Sequence, residues 1–345
     1  KDDTNELSSL VDLIVATGSQ NNIKRAIQSG TPALGVGVGN VPVIIDESAD
    51  LSDAAHKVMT SKTFDNATSC SSENSIVIVD SIYKKFIESL QKEGGTLLTS
   101  NEKEILASHM WDEKGVINRN VIAKKATEIA SLSGLDAQKF SHSSFLMVTE
   151  EGIGKQYPFS MEKLSPVLAV YRASDFSHAL EIANNILENQ GKGHSCSIHT
   201  QNKDNILRLG LELPVCRVIV NQAHCFAAGG NFDNALPFSL SMGCGTWGNN
   251  ITDENLNYKH YLNITKVVET IKSTEPSEDD IFSSYWKKYS LTPSTITELI
   301  DQHAKNTPDK TFLIDADLDL NVSYRQLKKD ITVLGVYFYQ NDIQF

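Results

Sequence analysis

Short apolar runs alternate with helix-forming stretches along most of this chain, and that alternation leaves few folds open to it. Val43-Ile44-Ile45, Ser75-Ile76-Val77-Ile78-Val79 and runs near 144–149, 166–171, 195–199 and 216–221 read as strands. Between them lie helical patterns over about 51–63, 82–93, 102–110, 119–132, 175–189 and 202–211, with Asp50 placed to cap the first. A helix between consecutive strands is a crossover connection, so the pattern predicts an α/β fold with a parallel-rich sheet. Val11-Asp12-Leu13-Ile14-Val15-Ala16 reads as a further core strand, running through Thr17-Gly18-Ser19 into a helix that ends at Gly30. Ala33 to Asn40 then alternates glycine with small apolar residues, a strand or loop that lets backbone or ligand approach closely.

The 345 residues, 40% of them hydrophobic, suffice for two ordinary domains. With 31 Lys and Arg against 43 Asp and Glu the net charge is −12, and the basic residues are scattered, so nucleic acid is not an expected partner. No run approaches the ~20 apolar residues of a membrane span, and Lys1-Asp2-Asp3-Thr4 is unlike a signal peptide, so the expected place is the cytoplasm, with no membrane partner. Five cysteines with no C-x-x-C pair, and histidines without ligand spacing, suggest neither disulfides nor a metal site. Cys196, Cys216, Cys225 and Cys244 read as buried or incidental. The chain lacks an initiator Met and opens just before a strand, which suggests a piece of something longer.

Phe64-Asp65-Asn66-Ala67-Thr68-Ser69-Cys70-Ser71-Ser72-Glu73-Asn74 sets one cysteine in a polar loop between a helix and a strand. A catalytic thiol fits there, and so does a small packed residue. As a nucleophile it needs amides or a base to favour the thiolate, since a free thiol titrates near ~8.5. Its sulfur would then attack an aldehyde, and loss of hydride from the adduct would leave a thioester.

The order of further segments resembles the aldehyde dehydrogenase superfamily, and within it the CoA-acylating branch that includes the aldehyde half of aldehyde–alcohol dehydrogenases. The matching pieces are Ala16-Thr17-Gly18-Ser19, Gly35-Val36-Gly37-Val38-Gly39-Asn40-Val41-Pro42, Phe64 to Cys70, Glu162-Lys163-Leu164-Ser165-Pro166-Val167, Gly193-His194-Ser195 and Gly243-Cys244-Gly245-Thr246-Trp247-Gly248, spanning about 11–270. Asn66 to Asn74 resembles the acylating sulfoacetaldehyde dehydrogenases in particular. The resemblance implies that Cys70 accepts the acyl group, with its own N–H in the oxyanion site. It places Thr17, Gly18, Ser19, Gly37 and Gly39 against NAD or NADP, and Glu162 at the nicotinamide ribose. Asn66 and His194 fall on the substrate or coenzyme A side, although a turn histidine bonded to backbone describes His194 equally well. Trp247 and its glycine turn would close the domain over the site. Hydrolytic members carry a glutamate where this chain has Gly35; without that base, coenzyme A rather than water should discharge the thioester. The products implied are an acyl-CoA, or in reverse a short aldehyde. The competing readings are a hydrolytic aldehyde dehydrogenase and a piece acting only in oligomerisation.

The expected domains are a cofactor-domain remnant over 1–34, a catalytic domain over 35–256, an oligomerisation strand over 257–272 that implies a homo-oligomer, and a linker over 273–291. The linker signal is Ser273-Thr274-Glu275-Pro276-Ser277-Glu278-Asp279-Asp280. Residues 292–345, with Thr292-Pro293-Ser294-Thr295, Asn306-Thr307-Pro308-Asp309-Lys310 and Val322-Ser323-Tyr324-Arg325-Gln326-Leu327, resemble the start of AMP-forming acyl-CoA synthetases, without their phosphate loop. A helix near 294–305, strands near 311–314 and 320–323 and a helix from 324 are predicted there. Together the two resemblances imply a fused acyl-CoA ligase.

Overall fold

A computed structural model describes residues 2–18, 20–272, 296–315 and 320–340; Ser19, the predicted linker and Thr292-Pro293-Ser294-Thr295 lie outside these. Lys1–Ile264 and Thr265–Phe345 form separate compact units.

The first unit centres on a seven-stranded sheet in the order β5-β6-β7-β4-β3-β8-β9. Its strands are β3 (Val41–Ile45), β4 (Glu73–Val79), β5 (Gly95–Leu97), β6 (Phe145–Thr149), β7 (Val167–Ala173), β8 (Cys196–His199) and β9 (Val218–Val220). Every pairing between them is parallel. Crossovers run through α3 (Leu51–Thr63), α4 (Tyr83–Lys92), α5 (Ser100–Met110), α8 (Phe176–Asn189) and α9 (Lys203–Glu212). β3 and β4 are buried along their whole length, because α8 packs on β3, β4 and β7 while α3 and α4 also pack on β4. Register locks this core: Ile44 faces Val77 on one side and Ile198 on the other. Each such fully buried aliphatic side chain contributes about 1.5–3 kcal/mol. The Asp50 carboxylate accepts from the N–H groups of Ser52 and Asp53, starting α3 at the expected residue.

The sheet and the helices between its strands were legible; four details were not. Residues 11–16 were expected as a core strand, but β1 (Ile14–Ala16) pairs only with β2 (Ala33–Gly35), and Val15 is 36% exposed. The helix expected over 119–132 breaks into a 3-10 turn at Arg119–Val121 and α6 (Ala126–Leu132), with Ala123 between them at φ +59°. α1 (Asp2–Ser9), α7 (Ala137–Phe140) and β5 were not anticipated. The late strand expected over 257–272 is instead a 3-10 turn at Tyr258–Tyr261, closed by a capping box between Asn257 and His260, followed by exposed backbone without regular structure. Its alternating apolar residues, Leu262 and Ile264 among them, find no strand to pair with among the described residues.

In the second unit, helices Ile296–Asn306 and Tyr324–Gln340 flank an antiparallel pair, β10 (Thr311–Asp315) with β11 (Leu320–Ser323), matching the α+β pattern read from the sequence. Among the described residues no helix is long and apolar enough to cross a membrane, and no group of three metal-ligating side chains gathers.

Candidate active site

Parallel pairing puts the amino ends of all seven strands along one edge, and several of the residues singled out in the sequence lie there. Gly37 and Gly39 precede β3, Cys70 precedes β4, Glu162 precedes β7 and His194 precedes β8.

The approach to Cys70 is strained. Asp65, Asn66 and Ala67 all have left-handed backbones, at φ 47°, 51° and 60°, each costing roughly 1–3 kcal/mol for a residue other than glycine. Hydrogen bonds hold the turn: Thr68 Oγ1 donates to the Asp65 carbonyl, and Asn66 Nδ2 donates to the Ala123 carbonyl at 3.1 Å. Ala123, itself left-handed, donates its N–H to the Leu164 carbonyl, beside Glu162 and Lys163. Asn66 therefore ties the Cys70 loop to the Glu162 loop. From there the chain passes tightly under β3: a Cβ built on Gly39 would lie 1.9 Å from the Cys70 carbonyl oxygen.

Cys70 Sγ lies 3.3 Å from His194 Nε2, while His194 Nδ1 lies 2.7 Å from Ser195 Oγ, which in turn is 2.8 Å from His224 Nε2. Burial, followed by the charge of Glu162 and the thiols of Cys244 and Cys225, pushes the Cys70 thiol up to about 12; its own backbone N–H pulls the other way. Burial, then Arg217, lowers His194 to about 3, so its ring is neutral at ordinary pH. Burial raises Glu162 to about 7, opposed by Lys163, Lys62 and a hydrogen bond from the Gly39 N–H. Four of the sequence-predicted residues, Cys70, His194, Glu162 and Gly39, thus form one cluster.

Gly37 lies to one side of it. Its N–H donates to Cys244 Sγ at 3.3 Å, and a Cβ there would stand 3.7 Å from Gln20 Nε2, at the start of α2 (Gln20–Gln28). Gly18, at φ +110° in the β1–α2 turn, has open space where a side chain would go, apart from Asn22 Nδ2 at 3.9 Å. Thr17 shares that turn, and Ser19 lies outside the described residues. Trp247 is half exposed on its glycine turn.

Sequence reading missed Arg217, Ser195 and His224. Arg217 is buried and donates to Asn255 Oδ1 and to the carbonyls of His194, Gly243 and Asp253, fixing the backbone that carries His194. An arginine leading directly into an apolar strand was the available signal. Also unforeseen is the buried Lys62–Glu73 pair, in which Ser61 Oγ donates to Glu73 and receives the Cys225 N–H. A groove of about 480 Å³ lined by Phe64, Cys225, Phe226 and Phe238 adjoins this side, connected to the Cys70 loop by Ser71 Oγ, 3.7 Å from Cys225 Sγ.

The profile of the aldehyde dehydrogenase family matches residues 7–233. The chain is 53% identical over 285 residues to the sulfoacetaldehyde dehydrogenase (acylating) of Cupriavidus necator, covering 83% of this chain and 58% of that protein. It is 34% identical over 279 residues to the succinate-semialdehyde dehydrogenase (acetylating) of Clostridium kluyveri, covering 80% and 61%. The crystal structure of an acetylating aldehyde dehydrogenase from Geobacillus thermoglucosidasius superposes with a TM-score of 0.75 at 38% identity, over 79% of this chain and 60% of that one. The chain thus spans about three fifths of the length of the relatives it matches. The parallel sheet, the cysteine loop at its amino edge and these similarities agree: the chain belongs to the aldehyde dehydrogenase family.

Proposed function

We propose that this chain carries the acyl-transfer machinery of a CoA-acylating aldehyde dehydrogenase, with Cys70 as the nucleophile. The observation that carries the reading is the cluster at the amino edge, where the Cys70 sulfur faces a neutral histidine at 3.3 Å and lies within the field of a carboxyl poised near neutrality. Cys70 Sγ attacks the carbonyl carbon of the aldehyde while its proton passes to Glu162; His194, held neutral, is a poor acceptor. The Cys70 N–H, whose presence beside the sulfur already favours negative charge there, stabilises the developing oxyanion. Loss of hydride from that adduct, for which a bound nicotinamide would be the acceptor, leaves a thioester on Cys70; in the second half-reaction the thiol of coenzyme A attacks the thioester, its proton passes to the departing Cys70 sulfur, and the acyl-CoA is released.

NAD or NADP is assigned to Gly18, Gly37 and Glu162; two features support this: the turn before α2 is open at Gly18, and Gly37 adjoins the first residue of that helix. When bound it supplies the hydride acceptor. Position 35 supports transfer to coenzyme A over hydrolysis, because glycine there supplies no carboxylate to activate water against the thioester. Similarity to proteins named sulfoacetaldehyde dehydrogenase favours sulfoacetaldehyde over acetaldehyde as substrate. The exposed apolar residues of 262–271 support a subunit-pairing role for that segment and a homo-oligomer. The helix, strand pair and helix of the second unit suit the opening of a fused acyl-CoA ligase.

One observation favours a second reading: Glu162, near enough to raise Cys70, is also a base for water, which would make the product a carboxylate. Two assays decide. Incubation with an acyl-CoA should add the acyl mass to the Cys70 peptide, and Cys70→Ala should abolish this; labelling elsewhere sinks the proposal. In the complete gene product, NAD(P)H formation from the aldehyde should require CoA, and turnover undiminished without CoA supports hydrolysis instead.

A further inference from the structure

The hydrogen-bonded line from Cys70 through His194 and Ser195 ends at His224, whose Nδ1 is buried and has no partner among the described residues. That orphan atom decides the direction of the whole line. A buried N–H without an acceptor costs more than a bare lone pair, so the ring hydrogen of His224 belongs on Nε2. From Nε2 it is donated to Ser195 Oγ, 2.8 Å away. The Ser195 hydroxyl, already an acceptor on that side, turns its own hydrogen to His194 Nδ1 at 2.7 Å. Nδ1 of His194 is then an acceptor, and its hydrogen must sit on Nε2, directed at the Cys70 sulfur.

We propose that Ser195 and His224 are positioning residues that fix the Nε2–H tautomer of His194, making it a hydrogen-bond donor to the Cys70 sulfur instead of a base. The inference rests on the reading of Cys70 as nucleophile. Its use is in both half-reactions: a donor aimed at sulfur stabilises the thiolate when it forms and when it leaves the thioester. Reversing the line would leave a buried, unpartnered N–H on His224 and aim a bare lone pair at the sulfur. The other groups facing this line are Glu162, Cys244 and Cys225 around Cys70, Arg217 beside His194, and Arg217 and His199 beside His224. The His224 backbone N–H is engaged by Glu73. Deep burial keeps both rings neutral, as a tautomer lock requires.

The test uses the whole chain labelled with 15N-histidine, the His194 signals being assigned by their loss in His194→Asn. Two-bond 15N–1H correlations at neutral pH should show the Nε2–H tautomer, and an Nδ1–H pattern overturns the proposal whatever the variants do. The pH profile of Cys70 alkylation by iodoacetamide, read on the Cys70 peptide, should shift upward in Ser195→Ala, slowing alkylation about tenfold at pH 8. His224→Leu should behave alike, whereas His224→Gln, which keeps a side-chain donor toward Ser195, should hold the wild-type profile. An unshifted profile in a folded Ser195→Ala protein also overturns the proposal; should that variant not fold, the wild-type tautomer decides alone. Absence of Cys70 acylation by acyl-CoA would defeat the underlying reading separately, leaving the tautomer result intact.

Discussion

Replacing Gly39 by alanine probes the closest backbone approach in the site. The new Cβ would lie 1.9 Å from the carbonyl oxygen of Cys70, 2.8 Å from its carbonyl carbon and 3.1 Å from its Cα, all backbone atoms that cannot rotate away. Reaching an ordinary 3.4 Å contact requires the two segments to part by about 1.5 Å. The Cys70 loop is held at both ends, by its strained turn and by β4, so the movement falls on Cys70 itself and opens its 3.3 Å contact with His194. The N–H of Gly39 moves too, and with it the hydrogen bond to Glu162. Overpacking of this kind costs about 1–3 kcal/mol in stability. Misplacing a nucleophile by about 1 Å costs roughly a hundredfold in rate. Single-turnover acylation of Cys70 by an acyl-CoA, followed by mass spectrometry, measures the second effect, and urea titration the first. A wild-type acylation rate would refute the reasoning, because it would mean that the shelf under Cys70 does not set the position of its sulfur.

Glu162→Gln should change how stability depends on pH. Burial lifts the Glu162 carboxyl from its usual value near 4.5 to about 7, so the folded protein binds the extra proton in that window and stability declines as pH rises through it. The decline amounts to roughly 3 kcal/mol. The glutamine variant lacks this share, while Glu73, raised by the same cause, keeps its own in both proteins. Urea titrations at pH 5 and pH 8 should therefore show a smaller loss for the variant, and an equal loss would contradict the assignment. Arg217→Met should destabilise the protein by about 3–5 kcal/mol, since it strands the buried carbonyls of His194 and Gly243 and the Asn255 amide oxygen. A urea midpoint within error of wild type would show that these groups find other partners.

What could be read from the sequence was whatever local chemistry decides. Asp50 caps α3 because a carboxylate before an apolar-periodic stretch satisfies its own helix, and no distant residue is consulted. The long apolar runs of β4 and β7 were legible for a similar reason, their burial on both faces being written as continuous hydrophobicity. Val11 to Ala16 carried the same mark but is half exposed, because burial of a strand depends on what packs over it. Tyr258, His260, Leu262 and Ile264 alternate as a strand would, yet the Asn257–His260 capping box turns the backbone first. Left-handed backbones at Asp65 to Ala67 were invisible, since none of the three is glycine and their cost is met by Ala123, far along the chain. Cys70, Glu162, Gly39 and His194 were found through ordered motifs. His224 was not, because nothing near it in sequence announces that its ring meets Ser195.

The position of the cluster also explains its electrostatics. Open α/β sheets usually bind ligands at the carboxyl ends of their strands, where helix amino termini gather and favour anions. Here the residues sit at the amino ends, so the helices that lead into them, α3 before Cys70, α8 before His194 and α9 before Arg217, bring their carboxyl ends to the same edge. Such ends carry partial negative charge and unpaired carbonyls. The buried cations answer that surplus: Lys62 donates to the Glu73 carbonyl, Lys163 to those of Asn74, Phe159 and Met161, and Arg217 to those of His194, Gly243 and Asp253. These cations only partly offset the burial that raises Glu162, and Cys70 is raised as well. On the proposed function, an edge of this kind suits a thiol that stays protonated until substrate arrives. If Cys70 is the nucleophile proposed above, its ionisation depends on its own N–H and on the ring of His194 at 3.3 Å, so the orientation of that ring sets much of the chemistry.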